Sequence, residues 1–209
     1  PFPAMVLVHG GGGSAFSAWT EMWAARGYVA IAMDLYGDEI IPDSCTEGAN
    51  LPRKRMEDGG PNLSDATMFS PFPDDGAAYK DCWPYHCVAN IMLAHSLIDS
   101  LTSVDADRVG VTGISWGGYL TALVAGVDDR FKVAVPVYGC GALTELGFVA
   151  EQYQAAFTAD ELKLWREYFE PNTYLPLVKC RVLFVDGTSD FAFPLKMNKT
   201  SYKATPNVD

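Results

Sequence analysis

The centre of the chain reads Arg108-Val109-Gly110-Val111-Thr112-Gly113-Ile114-Ser115-Trp116-Gly117-Gly118-Tyr119. The β-branched residues before Gly113 predict a strand, and the apolar residues that follow Gly118 recur at helical spacing. A strand that turns directly into a helix at a Gly-x-Ser-x-Gly sequence is the pattern of a nucleophile elbow. The serine hydroxyl then stands above the sheet at the helix N-terminus, where developing negative charge is favoured. Ser115 is therefore the candidate nucleophile, and a serine that merely caps the helix is the structural alternative.

A glycine-rich loop, His9-Gly10-Gly11-Gly12-Gly13, follows the short apolar run Ala4–Val8, which predicts a buried strand. Acyl transfer passes through a tetrahedral oxyanion that needs two N–H donors, and glycines let the backbone come close enough to supply one. We expect one donor from Trp116, the residue after the nucleophile, and the other from Gly11 or Gly12. His9 is expected to shape this loop, and a flexible turn is the alternative reading of the glycines.

An acid is expected in the segment Asp186-Gly187-Thr188-Ser189-Asp190, which follows a predicted strand late in the chain. In the order serine, acid, histidine that accompanies a nucleophile elbow, the acid lies after such a strand. It holds the base histidine in the right tautomer and stabilises its cation. We favour Asp190 because it lies clear of the strand end, with Asp186 as its competitor and a solvated loop carboxylate as the structural alternative.

No histidine follows Asp190, although a serine is a weak nucleophile without an adjacent base. The chain holds only His9, His86 and His95. His86 lies near the start of the predicted helix Cys82–Leu101 and is a weak candidate for a substitute base at the rim of the site. His95 lies farther along that helix and is expected in the core or on the helix surface.

The remaining pattern alternates strands with helices, which predicts one α/β domain with a mostly parallel sheet of about five strands and helices on both faces. The further strands are expected at Tyr28–Met33, Lys132–Tyr138 and Arg181–Asp186, and the further helices at Phe16–Arg26, at Pro194–Tyr202 and in a lid-like insert over residues 143–170. Residues 35–80 lack sustained periodicity and are expected to form a long surface excursion.

The bulk composition excludes several classes of partner. The 209 residues are 49% hydrophobic and carry a formal net charge of -11, so binding to nucleic acid or to anionic membranes is not expected and neutral substrates fit better. His, Asp and Cys do not recur at metal-ligand spacings, so no metal or cofactor is indicated. Cys45, Cys82 and Cys87 surround a loop and could hold a disulfide, whereas Cys140 and Cys180 adjoin apolar runs typical of a core.

Five stretches resemble one family: residues 108–119, residues 128–141, Asp58-Gly59-Gly60-Pro61, His95-Ser96-Leu97, and residues 187–194. They are similar to α/β-hydrolases of the acetyl xylan esterase and prolyl-oligopeptidase-like (dienelactone-hydrolase-like) group. The resemblance implies the α/β-hydrolase fold, with Ser115 as nucleophile and Asp190 as acid. It also implies that the family's first strands precede Pro1 and that its catalytic histidine follows residue 209, so we expect a fold truncated at both ends.

The leading functional hypothesis is a serine carboxylic-ester hydrolase that works through an acyl-enzyme. The resemblance suggests a carbohydrate acetyl ester or another small acyl ester as substrate. One alternative is a serine peptidase of the prolyl-oligopeptidase type, and another is a catalytically inert fragment that lacks its base. Trp83, Tyr138 and Trp165 could stack on sugar rings, and core packing explains them equally well. Compartment and oligomeric state stay open.

Overall fold

Strands and helices alternate along a computed structural model that describes residues 1–41, 52–63, 80, 82–206 and 208. The strands are β1 (Phe2–Val8), β2 (Val29–Met33), β3 (Asp38–Ile40), β4 (Arg53–Arg55), β5 (Val104–Ile114), β6 (Val133–Val137) and β7 (Arg181–Val182). Five of them form one sheet in the order β2-β1-β5-β6-β7, and every neighbouring pair is parallel. The predicted α/β fold with a mostly parallel sheet is therefore confirmed.

Helices connect and follow the strands in the described part of the chain, and the first three of them pack against this sheet. The helices are α1 (Ser17–Ala24), α2 (Trp83–Asp99), α3 (Trp116–Ala125), α4 (Gly147–Ala156), α5 (Ala159–Phe169), α6 (Pro171–Tyr174) and α7 (Leu195–Ala204), with a 3-10 turn at Leu175–Leu177. From Gly117 to its last residue, α3 is buried, because it lies against β5 and β6 and also contacts α2 and α6. That burial fixes the helix whose first turn borders Ser115.

The strand β7 is shorter than the predicted range Arg181–Asp186. Leu183 and Val185 still donate backbone hydrogen bonds to Ala134 and Pro136, each at 3.0 Å. Pro136 has no N–H, so the next bond of the parallel ladder, back to the carbonyl of Leu183, cannot form. The chain therefore continues alongside β6 after Val182 without regular pairing.

Part of the predicted excursion over residues 35–80 is a small antiparallel ribbon made of β3 and β4. Opposite charges face each other across the two strands: Lys54 lies 3.3 Å from Glu39, and Arg55 lies 3.4 Å from Asp38. Strands of three residues with mostly charged side chains carry no hydrophobic alternation, so the sequence pattern missed them. Cys45, with the other residues of 42–51, and residues 64–79 lie outside the described residues.

The insert over residues 143–170 is mainly helical and contains α4 and α5. Its inner side is an aromatic cluster in which the Trp165 ring lies 4.8 Å from Tyr153 and 5.0 Å from Phe169. Thr158 and Glu161 form a capping box that begins α5. Because Trp165 is buried in this cluster, it serves packing and does not offer a face to a sugar.

Candidate active site

Ser115 lies between β5 and α3 with φ 55 and ψ -121, a backbone conformation that a residue with a side chain rarely adopts. Its N–H donates to the carbonyl of Val137 at 3.0 Å, which ties the turn to the neighbouring strand β6. A methyl group on Gly117 would overlap the carbonyl of Val8, and one on Gly113 would come within 2.6 Å of the same oxygen. Both motif glycines are therefore required by close backbone approach.

The glycine loop after β1 runs beside this serine. A methyl group on Gly10 would lie 2.9 Å from the carbonyl oxygen of Ile114 and 3.1 Å from Cβ of Ser115. The two candidate donors in the loop differ. The Gly12 N–H donates to the Tyr36 hydroxyl at 2.8 Å, whereas the Gly11 N–H makes no hydrogen bond within the part of the chain that the structure describes.

Trp116 is the first residue of α3, where backbone N–H groups point out of the helix N-terminus. Its ring makes edge contacts with Tyr119 at 5.7 Å and with Phe193 at 5.9 Å. The second of these contacts brings the loop that carries Asp190 against the residue that follows Ser115.

Asp190 shapes its own loop. Its Oδ1 accepts the N–H groups of Ala192 at 2.8 Å and of Phe193 at 2.7 Å, and no described residue hydrogen-bonds to its Oδ2. Asp186 is more enclosed: burial raises the pKa of its carboxyl, and the charge of Asp190 raises it further. The two acids therefore lie near one another, and each has one carboxylate oxygen without a hydrogen bond from a described residue, buried in Asp186.

The three histidines lie in different settings. Both ring nitrogens of His9 are engaged, Nδ1 with the carbonyl of Gly10 at 2.7 Å and Nε2 with the N–H of Leu35 at 2.9 Å. His9 therefore shapes the glycine loop and cannot accept the serine proton in this arrangement. His95 is buried and contacts Asp128 at 3.1 Å. His86 borders a cavity of about 460 Å³ beside β2.

A buried carboxylate holds the loop after β6, and no motif in the sequence marks it. Glu170 accepts the N–H groups of Ala142 at 2.7 Å and Leu143 at 3.1 Å. Burial raises its pKa to about 7, partly offset by these backbone hydrogen bonds. The same loop includes Gly139, on which a methyl group would overlap the carbonyl of Ser115. Glu170 therefore fixes a segment that packs directly on the elbow.

Two aromatic rings are exposed beside the Asp190 loop. Phe191, which follows Asp190, is 81% exposed, and its ring lies 6.4 Å from that of Phe148 at the start of α4. By contrast, Trp83 is buried against the carbonyl of Leu35.

Among the described residues, no group of three or more His, Cys, Asp or Glu side chains could hold a metal ion. The helices of the described part of the chain also include none with the length and apolar character of a membrane span.

Comparison with known proteins assigns the family. Residues 74–204, more than half of the chain, match the model of the prolyl oligopeptidase family. The chain belongs to this family. The similar structures show that the chain has the α/β-hydrolase fold. Family membership leaves both ester and peptide substrates open, because the similar structures include esterases and peptidases.

Three relatives illustrate that range. An uncharacterized peptidase, YuxL, from Bacillus subtilis is 29% identical over 101 residues, which are 44% of this chain and 15% of that protein. The acetyl xylan esterase from Paenibacillus sp. R4 matches all of this chain and 67% of its own, at TM-score 0.69 and 22% identity. The acylaminoacyl peptidase of Pyrococcus horikoshii matches all of this chain and 32% of its own, at TM-score 0.67 and 19% identity. The chain thus spans from about a seventh to two thirds of these proteins, and the structural likeness concerns the fold.

Proposed function

We propose that the protein is a serine carboxylic-ester hydrolase that works through an acyl-enzyme, with Ser115 as its nucleophile. The observation that carries this proposal is the strained backbone of Ser115 at the junction of β5 and α3. Such strain persists only where the surrounding structure holds it, and it is typical of functional sites. Here the hydrogen bond from Ser115 to Val137 and the close approach of Gly117 to Val8 hold it.

In the proposed reaction, the Ser115 Oγ attacks the ester carbonyl carbon while its proton passes to a general base. The carbonyl oxygen becomes an oxyanion, which the N–H groups of Trp116 and Gly11 stabilise. We choose Gly11 over Gly12 because the Gly12 N–H already donates to Tyr36. The base returns the proton to the departing alcohol. Water then attacks the acyl-enzyme by the same route and releases the acid and the free serine.

Asp190 is proposed to orient the base and to stabilise its cation. Two features support Asp190 over Asp186. The backbone hydrogen bonds from Ala192 and Phe193 to Oδ1 hold its carboxylate in one orientation while Oδ2 stays available. Asp186 is disfavoured because its carboxylate accepts the Gly187 N–H at 2.9 Å and faces Asn198 on α7.

A small acyl ester, such as an acetyl group on a carbohydrate, is the proposed substrate. The resemblance of the elbow and Asp190 segments to acetyl xylan esterases supports the sugar part. The net charge of -11 disfavours polyanionic substrates and is compatible with a neutral one.

The direct test is hydrolysis of 4-nitrophenyl acetate by the wild type and by Ser115→Ala. We expect Ser115→Ala to abolish enzyme-dependent turnover, since it removes the nucleophile. Ser100→Ala is the matched control, because this hydroxyl is exposed just after the C-terminal end of α2 and donates to the carbonyl of Leu97. Equal turnover by the wild type and Ser115→Ala would contradict the proposed role.

A serine peptidase of the prolyl-oligopeptidase type is the second candidate, and the match of residues 74–204 to that family favours it. The same serine, acid and oxyanion donors serve both reactions. Cleavage of proline 4-nitroanilide peptides, abolished by Ser115→Ala, would favour the peptidase. Turnover of 4-nitrophenyl acetate without cleavage of those peptides would favour the esterase.

A fluorophosphonate probe tests the third possibility, an inert chain without a base. Rapid labelling of Ser115 within these 209 residues would show that a functional base is among them. Slow labelling, with Ser115 still at the observed elbow, would indicate a nucleophile without its base.

A further inference from the structure

The peptide groups of the glycine loop each have a fixed orientation. The Gly10 carbonyl accepts hydrogen bonds from the Gly13 N–H at 3.0 Å and from the His9 ring at 2.7 Å. A trans peptide group directs its N–H opposite to its C=O, so these bonds also fix the direction of the Gly11 N–H. The next N–H, that of Gly12, is held by the Tyr36 hydroxyl at 2.8 Å.

The last two carbonyls of the loop are held by a side chain that lies about 40 residues away in sequence. The Arg53 Nη2 donates to the Gly12 carbonyl at 2.5 Å and also to the Gly13 carbonyl. One guanidinium nitrogen thus bridges two consecutive peptide groups. Because a guanidinium is planar and always charged, it can hold such acceptors in one geometry.

The Arg53 guanidinium is itself held in place on its other side. Its Nη1 lies 3.4 Å from Oδ2 of Asp34, whose Oδ1 accepts the Tyr36 N–H at 2.8 Å. The Arg53 guanidinium carbon also lies 5.1 Å from the centre of the Tyr36 ring, in a cation–π contact. The side chain of Asp34 is only 4% exposed, so its attraction for Arg53 is weakly screened by solvent.

We propose that Arg53, supported by Tyr36 and Asp34, is a positioning residue that sets the orientation of the Gly11 N–H in the oxyanion hole. This inference rests on the proposed function, in which Gly11 is a donor. It adds that the β3–β4 ribbon acts on the oxyanion hole through Arg53, which belongs to β4 and touches the loop directly. Loss of Arg53 leaves Ser115 in place and lets the loop carbonyls rotate toward water.

The test compares Arg53→Met with Arg55→Met. Arg55 lies on the same strand, and its guanidinium bonds the carbonyls of Tyr36, Gly59 and Gly60 without touching the glycine loop. For Arg53→Met we expect kcat for 4-nitrophenyl acetate to fall about 10- to 100-fold, part of the roughly 10²- to 10³-fold effect of one oxyanion donor. KM should change less than about twofold, because the oxyanion exists only beyond the ground state. Arg53→Lys should recover part of the loss, since an ammonium can hold one carbonyl.

Amide hydrogen exchange over residues 9–16 supplies a readout that does not depend on turnover. We expect faster exchange in Arg53→Met and unchanged exchange in Arg55→Met. Equal losses of kcat in the two variants would mean that only ribbon stability matters and would overturn the inference, as would a kcat or an exchange rate unaffected by Arg53→Met. If Ser115→Ala shows that turnover does not require the serine, the proposed function fails, while exchange still reports separately whether Arg53 orders the loop.

Discussion

Burial of the Glu170 carboxyl makes the stability of this fold depend on pH. The pKa of Glu170 is raised from 4.5 to about 7 in the folded state. The folded state therefore binds this proton more tightly than the unfolded state does. The resulting contribution to stability is fully present below pH 4.5 and is lost as pH rises through 7. The difference between the two pKa values corresponds to about 3 kcal/mol once the carboxyl is fully ionised.

The substitution Glu170→Gln removes this titration and has a second effect. An amide nitrogen cannot accept a hydrogen bond, so the N–H of Ala142 or Leu143 loses its partner, at a cost of about 1–3 kcal/mol that does not vary with pH. The two effects can be distinguished because only the ionisation of Glu170 changes the unfolding free energy with pH. Relative to the variant, the wild type should lose about 2–3 kcal/mol of unfolding free energy between pH 5 and pH 8.

Urea unfolding of both proteins at pH 5 and pH 8, followed by tryptophan fluorescence, measures this difference. Other titrating groups are common to both proteins, so their contributions cancel. Glu151→Gln is the matched control, since Glu151 is exposed on α4 and should give the same small difference at either pH. A wild-type advantage over Glu170→Gln that is equal at both pH values would refute the argument from burial.

Three further predictions concern the elbow, a buried ion pair and the base. Gly117→Ala should lower the unfolding free energy in the same urea assay by about 3 kcal/mol, because its methyl group meets the Val8 carbonyl. The control Gly187→Ala has no atom within 4 Å of its methyl position and should change the unfolding free energy by less than about 0.5 kcal/mol. Asp128→Ala should lower the unfolding free energy by roughly 3 kcal/mol, since it leaves His95 and Arg130 without their shared carboxylate. The control is Asp107→Ala, at a side chain that is 91% exposed, and it should change the unfolding free energy little. His86→Ala should leave the rate of fluorophosphonate labelling of Ser115 unchanged, because the His86 ring packs on Tyr85 beside the β2 cavity; a large drop would identify His86 as the base.

Local signals in the sequence were sufficient to predict the strand–turn–helix arrangement of the elbow. The strand, the serine and the helix around Ser115 are continuous in the chain, so β propensity, helical spacing and close-packing glycines all act within about a dozen residues. The same holds for the glycine loop after β1. The order of elements also predicted a parallel sheet, because strands that alternate with helices are joined by crossover connections.

Contacts between segments that are distant in the chain could not be predicted from the sequence pattern. Arg53 holds the carbonyls of Gly12 and Gly13 from a three-residue strand of charged side chains. Nothing in such a strand distinguishes an arginine that bonds a loop from one that faces water. Glu170 is similar: its neighbours in sequence look like an ordinary helix junction, and only the fold shows that its carboxyl is buried against Ala142 and Leu143.

The order of the sheet explains why these separate segments meet at Ser115. β1 and β6 are the two neighbours of β5, and all three strands run in the same direction. Their carboxyl ends therefore lie side by side, which places the glycine loop after β1 and the Gly139 loop after β6 on either side of the elbow. Asp190, the proposed acid, comes one strand farther out, after β7, and its loop reaches the elbow through the contact of Phe193 with Trp116. A defect in the short β6–β7 pairing should consequently disturb Asp190 before it disturbs Ser115, because the backbone of the elbow contacts Val137 of β6 and Val8 of β1.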